Sequence, residues 1–438
     1  MKTIIPTDGL EIREGTRLEP GVYHLPRGLR IAADGVTLDA SGATLIGDEG
    51  QGVAVHVAGQ RGVTVKGLTA LRYRYGIRAD DCQDLTLTGN RITRTAELEP
   101  FKYFLYLWKP VEEAYGGAIL LNRVQGGLVA DNDFQHQQNG VLLYHSSGLT
   151  VRDNNASFNS GWGVYLSASH DNRIERNVLD FCNRVYRRES GVERVEADAA
   201  GLVMVRGSSR NQVLKNACRG GGDGMFITGY EHPGVIEPCN DNLFEDNDCS
   251  YSPNNAIEST FSQNNIFRRN ICSKSNYGFW LGFSWDTLVE DNIIEDNFIA
   301  GVAAEHAHTI TFRGNQVRRN REGIRLWTRG IAVLEYWPGY EVSYDFEIED
   351  NLFEENWLGF NGYTGKVTVD AQCHGYHLRG NTFTGNRIGL RLAQIHDCTV
   401  QGNTFKEHAV AALQIEDAER IALEANTFED NAADTQTR

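Results

Sequence analysis

The chain has 438 residues, 41% of them apolar, enough to bury an extensive core, and its 46 Gly against 9 Pro speak for many tight turns and against a Pro-rich disordered chain. A formal charge of −16 excludes the Lys/Arg fields that hold nucleic acid or an anionic membrane surface. No run of eighteen apolar residues occurs and the opening MKTIIPTDGLEIREGTRLEPG lacks a signal-peptide core, so the sequence as written reads as cytoplasmic; a chain stripped of an export signal would read the same.

From residue 61 onward the chain repeats. A unit of the form Asn-x-apolar begins at Asn90, Asn132, Asn154, Asn177, Asn216, Asn247, Asn270, Asn292, Asn315, Asn351, Asn381, Asn403 and Asn426, with shortest intervals of 22 and 23 residues. Helical heptads do not give that period. It fits one coil of a parallel β-helix built from three short strands and their turns, so the expected fold is all-β, a solenoid of about 13 coils with loop insertions.

Two columns support the register. The residue two after each Asn is apolar or Cys throughout, from Ile92 and Phe134 to Phe405 and Phe428, as an internal ladder of side chains stacked ~4.8 Å apart requires. A Gly-apolar-x-apolar strand recurs as GVLL from Gly140, GVYL from Gly163, GFWL from Gly278, GIRL from Gly323 and GLRL from Gly389; its alternation turns the first and third residues after Gly inward and the middle one outward. The repeated Asn read as stacked corner residues whose amides bond the backbone, not as ligands. Cys218, Cys249 and Cys272 fall in the internal column, and without CxxC pairs all eight thiols are expected reduced, with no metal held by sulfur.

This pattern resembles the NosD-like and pectate-lyase-like right-handed β-helix superfamily over roughly residues 60 to 431. The resemblance implies a single right-handed parallel β-helix over residues 61–438. It also implies that the segment GTRLEPGVYHLPRGLRIAADGVTLDASGATLIG, within residues 1–60, supplies an N-terminal cap and the first strands. For function it points to sugar-binding and sugar-cleaving proteins, an architecture that hosts hydrolases, lyases, epimerases and noncatalytic proteins alike.

Five intervals exceed one coil: Asn90 to Asn132 (42), Asn177 to Asn216 (39), Asn216 to Asn247 (31), Asn315 to Asn351 (36) and Asn351 to Asn381 (30). The excess must leave the coil as loops, where function on a rigid scaffold tends to gather. The first loop, EPFKYFLYLWKPVEEAYG, holds Phe101, Tyr103, Phe104, Tyr106, Trp108 and Tyr115. It reads either as a satellite core that pins the loop or as a wall of sugar platforms, since pyranose C–H faces stack on flat rings. The WPGY stretch around Trp337 and Tyr340 carries the same two readings.

The uninterrupted coils between Asn247 and Asn315 read SPNNAIESTFSQNN, YGFWLGFSWDTLVEDN and AGVAAEHAHTITFRGN. Twelve residues before the Asn, an outward strand position holds Tyr165, Glu258 and Trp280 in their respective coils; ten before it lie Thr260, Gly282 and Glu305, with His306 next to the last. Upstream, GGGDGMFITGYEHPG supplies Asp223 before its strand and Tyr230, Glu231 and His232 after it. Strands have little use for carboxylates unless exposed or paired. Glu258 is either catalytic or part of a solvated ladder with Arg268 or Arg269, and Asp223 is either a catalytic acid or a turn residue. His232 reads more simply as surface, and Arg325 and Trp327 either extend the site or are merely exposed.

Glycoside hydrolysis needs one carboxylic acid and one carboxylate. The expected reaction is metal- and cofactor-independent hydrolysis of an oligosaccharide or polysaccharide, neutral or weakly charged, with Glu258 as one catalytic carboxylate and Glu305 or Asp223 as the other. Glu258 and Glu305 lie ~12 Å apart at Cα from strand spacing, which suits an inverting enzyme. Trp280, His306, Tyr230, Glu231, His232, Arg325, Trp327, Trp108 and Tyr165 are the candidate binding residues, in a groove roofed by the insertions after Thr95, Arg184 and Tyr230. A lyase or epimerase acting on a uronan is the competing enzyme, with Lys274 and Arg325 the evident cations to neutralise a substrate carboxylate. A noncatalytic glycan-binding or accessory protein is the third reading; copper delivery is disfavoured by only three Met and by Cys that read as core.

Overall fold

A computed structural model describes residues 1–330, 337, 339–365 and 371–437. It divides into two units, Met1–Phe226 and Ile227–Arg438, each a right-handed parallel β-helix. Successive coils pair strand on strand in parallel. In the second unit, Ile293–Glu295, Ala300–Glu305 and His308–Arg313 of one coil pair with Gln316–Arg318, Glu322–Thr328 and Tyr344–Glu349 of the next. In the first unit the pairing begins at the start of the chain, where Lys2–Ile4 lies on Thr16–Leu18 and Leu10–Ile12 on Leu29–Ile31. Among the described residues, two antiparallel hairpins project from the coils: Val185–Arg187 with Glu193–Val195, and Tyr230–His232 with Val235–Ile236.

The Asn residues are corner residues. Asn315 accepts the backbone N–H and the side-chain Nδ2 of Asn292 on one oxygen, both at 3.0 Å. Its own Nδ2 donates to Val289 O and to Asn351 Oδ1, both at 2.9 Å. The pattern repeats from Asn90 to Asn177 in the first unit and from Asn247 to Asn403 in the second. The residue before the Asn holds the left-handed conformation, as at Asp153 (φ 55°), Arg269 (φ 53°) and Asp350 (φ 54°). That costs a non-Gly residue roughly 1–2 kcal/mol; satisfying the buried corner amides offsets it.

The internal column packs as its sequence requires. The residues two after the Asn are buried from Ile92 to Phe405, and Phe428, in a coil at the C-terminal end, is half-buried. Phe353, Phe383 and Phe405 stack at 4.5 and 4.7 Å, the spacing of adjacent strands. The strand Gly is fixed by close approach: a Cβ on Gly323 would lie 2.2 Å from Gly359 O. All eight cysteines are buried and free.

Replacing Asn315 by Ala strips the Asn292 N–H of its acceptor and leaves Val289 O without its donor, and is expected to destabilise the protein by about 2–4 kcal/mol. The same change at half-buried Asn426 should cost clearly less. Urea unfolding of the two variants checks this, and equal effects would show that the ladder does not hold the corners.

Candidate functional site

On the second unit, one sheet presents three outward columns. The first runs Glu258, Trp280, Ala303, Arg325, Asn361, Arg391. Three residues earlier on each strand lies Asn255, Tyr277, Ala300, Glu322, and two residues later Glu305, Trp327, Tyr363. Ala300 and Ala303 therefore make a floor one coil wide, and it is fully buried because Tyr277, Trp280, Trp327 and Tyr363 pack over it. Tyr277 and Trp280 stand on one side of it, and Glu322, Arg325 and Trp327 on the other.

The walls of this floor are held in place. Tyr277 meets Trp280 edge-to-face at 5.0 Å and Trp280 meets Trp327 likewise at 5.7 Å, which fixes the ring planes. The Arg325 guanidinium lies 4.4 Å from the Trp327 ring centroid and its Nε donates to the Tyr363 hydroxyl at 3.0 Å. Glu322 accepts from Asn361 Nδ2 at 2.8 Å and lies 3.9 Å from Arg325. Glu258 is half-buried, in register with Trp280, and accepts from Asn255 Nδ2 at 2.6 Å. Burial raises the pKa of Tyr277, so its phenol is un-ionised at neutral pH.

Glu305 lies two coils beyond Glu258 and two residues along the strand. Its side chain is 4% exposed, and Arg329 contacts both oxygens, Nη2 donating to Oε1 at 2.8 Å and Nε lying 2.5 Å from Oε2. His306 is buried. Its Nε2 accepts the Arg329 N–H at 3.0 Å, so Nδ1 carries the proton that faces Tyr340 O at 2.6 Å; burial lowers its pKa. It staples an insertion to the coil instead of facing a ligand. Tyr230 packs on Phe261 at 5.1 Å, in a satellite core that also takes in Phe283, Trp285, Trp337 and Tyr340. His232 is exposed with Nδ1 3.1 Å from Pro233 O, and Glu231 is half-buried.

In the first unit Asp223 opens the strand Asp223–Thr228, and its side chain is buried. Tyr165 is fully buried, its hydroxyl donating to Leu107 O at 2.6 Å and its ring stacked on Trp162 at 4.4 Å, so it has no face to offer a sugar. Trp108 is half-buried against the same cluster, and its carbonyl accepts from Arg206 at 2.6 Å. Leu105, Leu107 and Val111 pull the loop down onto Tyr75, Leu142 and Tyr165. The insertions after Thr95 and Tyr230 each seal an apolar patch of their own unit; in the first it is Leu105, Leu107 and Val111 that are buried, while Phe101, Tyr103, Phe104 and Tyr106 stay exposed.

Under the first loop lie cavities of about 320 Å³, lined by Glu97, Glu99, Ser160 and Arg184 among others, and about 270 Å³, lined by Arg74, Lys109, Tyr115 and Gln138 among others. Beside them Glu196 is fully buried, accepting the Leu105 N–H at 2.5 Å, with Arg184 Nε 3.5 Å away. Burial pushes Glu196 up to about 7, against the opposing pull of that N–H and of Arg184, and pushes Asp198 up to about 7 as well. Among the described residues, no group of three or more His, Cys, Asp or Glu side chains is placed to hold a metal ion, and no helix is long and apolar enough to cross a membrane.

The family model of the right-handed β-helix region matches residues 53–196 and 194–335. The chain belongs to that family. The model of the periplasmic copper-binding protein NosD matches residues 338–437. Among solved structures, the β-helix is similar to a periplasmic alginate epimerase, with 11% identity over 94% of this chain and 79% of that one and a TM-score of 0.47. It is similar to the A-module of a mannuronan C-5 epimerase from Azotobacter vinelandii, with 14% identity over 97% and 91% and a TM-score of 0.36. It is also similar to a DFA-IIIase from Arthrobacter chlorophenolicus without its lid, with 12% identity over 70% and 80% and a TM-score of 0.42. No curated protein matches.

Sequence reasoning about this β-helix missed Glu196, Asp198 and Arg184, which the 39-residue interval from Asn177 to Asn216 contains. The available signal was EADAAGLVMV, two acids run directly into a fully buried strand. It missed Ala300 and Ala303 because small residues draw no notice, and Tyr277 because it precedes the strand Gly, Gly278, after which the outward positions alternate. Because Glu196 is raised from an ordinary carboxyl to about 7 in the fold, its stabilising share is complete at low pH and is lost as pH climbs toward and through 7. Glu196→Gln should therefore gain melting temperature over the parent as pH rises from 5 to 8. A constant difference across that range would contradict the assignment.

Proposed function

We propose that this β-helix protein is a carbohydrate-active enzyme that seats a glycan on the half-buried Tyr277 and Trp280 rings over the Ala300–Ala303 floor of its second unit. The observation that carries the reading is an aromatic patch: Tyr277 and Trp280 lie half-buried over the covered Ala300 and Ala303, with Glu258 one coil away on one side and Glu322 and Arg325 on the far side of the alanines. A sugar ring needs an apolar surface for its C–H face and donors and acceptors around its rim for its hydroxyls. Both are within one coil of each other here.

For the chemistry, the first reading is hydrolysis with Glu258 and Glu305, whose coils lie ~10 Å apart along the axis. Arg329 encloses Glu305, so this route requires the guanidinium to swing away when substrate arrives; Asp223, the other candidate partner, is buried in the first unit. The second reading is a lyase or epimerase acting on a uronan. It is favoured by Arg325, whose guanidinium suits a substrate carboxylate; Glu258, three coils away along the same column, would meet a different sugar of the chain.

Glu258→Gln keeps the shape and the Asn255 contact. It should leave melting within a few degrees and lower turnover at least ~100-fold. Incubation with neutral and acidic oligosaccharides separates the chemistries: reducing ends without ultraviolet absorption mark hydrolysis, unsaturated ends mark a lyase, and altered sugar stereochemistry by NMR marks an epimerase. Full activity in Glu258→Gln would move the chemistry off this floor, and binding without any product would overturn the enzymatic reading in favour of a noncatalytic glycan-binding protein.

A further inference from the structure

We propose that Phe298, Arg321, Trp357 and Arg387 form a second glycan subsite on a corner of the second unit, built for an extended polysaccharide that carries anionic groups. The inference rests on the carbohydrate-active reading and names the class of glycan. Each of the four follows a buried Asn of the second corner ladder, Asn297, Asn320, Asn356 and Asn386. Backbone bonds from Arg321 N to Asn297 O (3.4 Å), Trp357 N to Asn320 O (3.1 Å) and Arg387 N to Asn356 O (3.1 Å) set them one coil apart.

Phe298 (74% exposed) and Trp357 (59%) are the most exposed aromatic side chains among the described residues. Phe158 and Phe181, exposed at another corner, cover each other at 5.3 Å. Here Arg321 separates the two rings, and Arg387 lies 4.3 Å over the Trp357 ring. Among the described residues Arg321 and Arg387 have no carboxylate partner, whereas the neighbouring Arg319 is tied to Asp296 and Glu295, both at 2.8 Å. A cavity of about 620 Å³ opens between Phe298, Arg321 and Trp357.

Two coils put the rings ~10 Å apart, on the order of two sugar residues of an extended chain, with the Arg321 guanidinium at the step between them and Arg387 ~5 Å beyond Trp357. Rings take the C–H faces of alternate sugars, and the planar guanidinium forks take carboxylate or sulfate groups in pairs of charge-assisted hydrogen bonds. On a chain of net charge −16, two unpaired arginines on one corner are a local attraction that the overall field opposes, so recognition needs direct contact.

Affinity gel electrophoresis of the whole protein tests this with carboxymethylcellulose against hydroxyethylcellulose, which share a backbone and differ in charge, and with alginate and polygalacturonate. Retention by the charged polymers should exceed that by hydroxyethylcellulose. Phe298→Ala with Trp357→Ala should weaken retention about tenfold, and Arg321→Gln with Arg387→Gln should abolish the preference for charge. All four side chains are exposed, so melting should not move. No retention by any charged polymer, or retention unchanged in both double variants, overturns the subsite. Retention lost in Trp280→Ala but kept in both corner variants assigns binding to the floor and overturns the corner; the reverse result keeps the corner and removes the floor.

Discussion

The side-chain amide of a buried asparagine does two things along the corner ladders of this protein. Its oxygen takes the backbone and side-chain N–H groups of the coil before it, and its nitrogen spans to a carbonyl and to the next Asn, as between Asn292, Asn315 and Asn351. Because each Asn bonds both neighbours, no coil can shift in register without breaking two sets of buried hydrogen bonds. Side chains that point outward therefore stand at fixed intervals of ~4.8 Å along a column. The floor at Ala300 and Ala303 and the ring planes around it are consequences of that spacing.

Aromatic residues meet three fates on this frame, decided by what lies over them. Tyr165 and Trp162 lie on a sheet face that an insertion covers, and Leu105 and Leu107 complete their burial. Trp280 and Trp327 lie on a sheet face in edge-to-face contact around two alanines. Phe298 and Trp357 leave the turn at a corner, where the coil has no further layer to bury them. The same residue types thus serve packing in one place and present open faces in another, and neighbouring small or cationic residues mark the difference.

Much of the fold was legible because a β-helix writes its period into the sequence. The internal column from Ile92 to Phe405, the buried free cysteines and the structural role of the Asn residues all follow from one register. The outward position of Glu258 beside Trp280 follows from it too. Long-range side-chain pairing does not. Nothing in the strand that carries Glu305 announces that Arg329, from the start of an insertion, encloses it, or that His306 staples the same insertion through Tyr340. The fate of the Phe101–Tyr115 loop was open between core and platform, since periodicity stops where the insertion begins; Leu105 and Leu107, not the aromatics, decide it.

The electrostatics divide along similar lines. Most arginines on the coils are matched to a carboxylate one coil away, such as Arg269 with Asp246 and Arg319 with Asp296, and these exposed pairs contribute little each. Arg325, held by Tyr363 and Trp327 at the edge of an apolar floor, is placed differently, and that placement bears on the reaction. The most direct test of the central claim is a crystal structure of the protein soaked with mixed neutral and acidic oligosaccharides. The expected result is a pyranose ring with its apolar face against Trp280 or Tyr277, above the buried Ala300 and Ala303. Sugar ordered instead in the cavities beside Arg184 and Glu196, with Trp280 and Tyr277 bare, would contradict it.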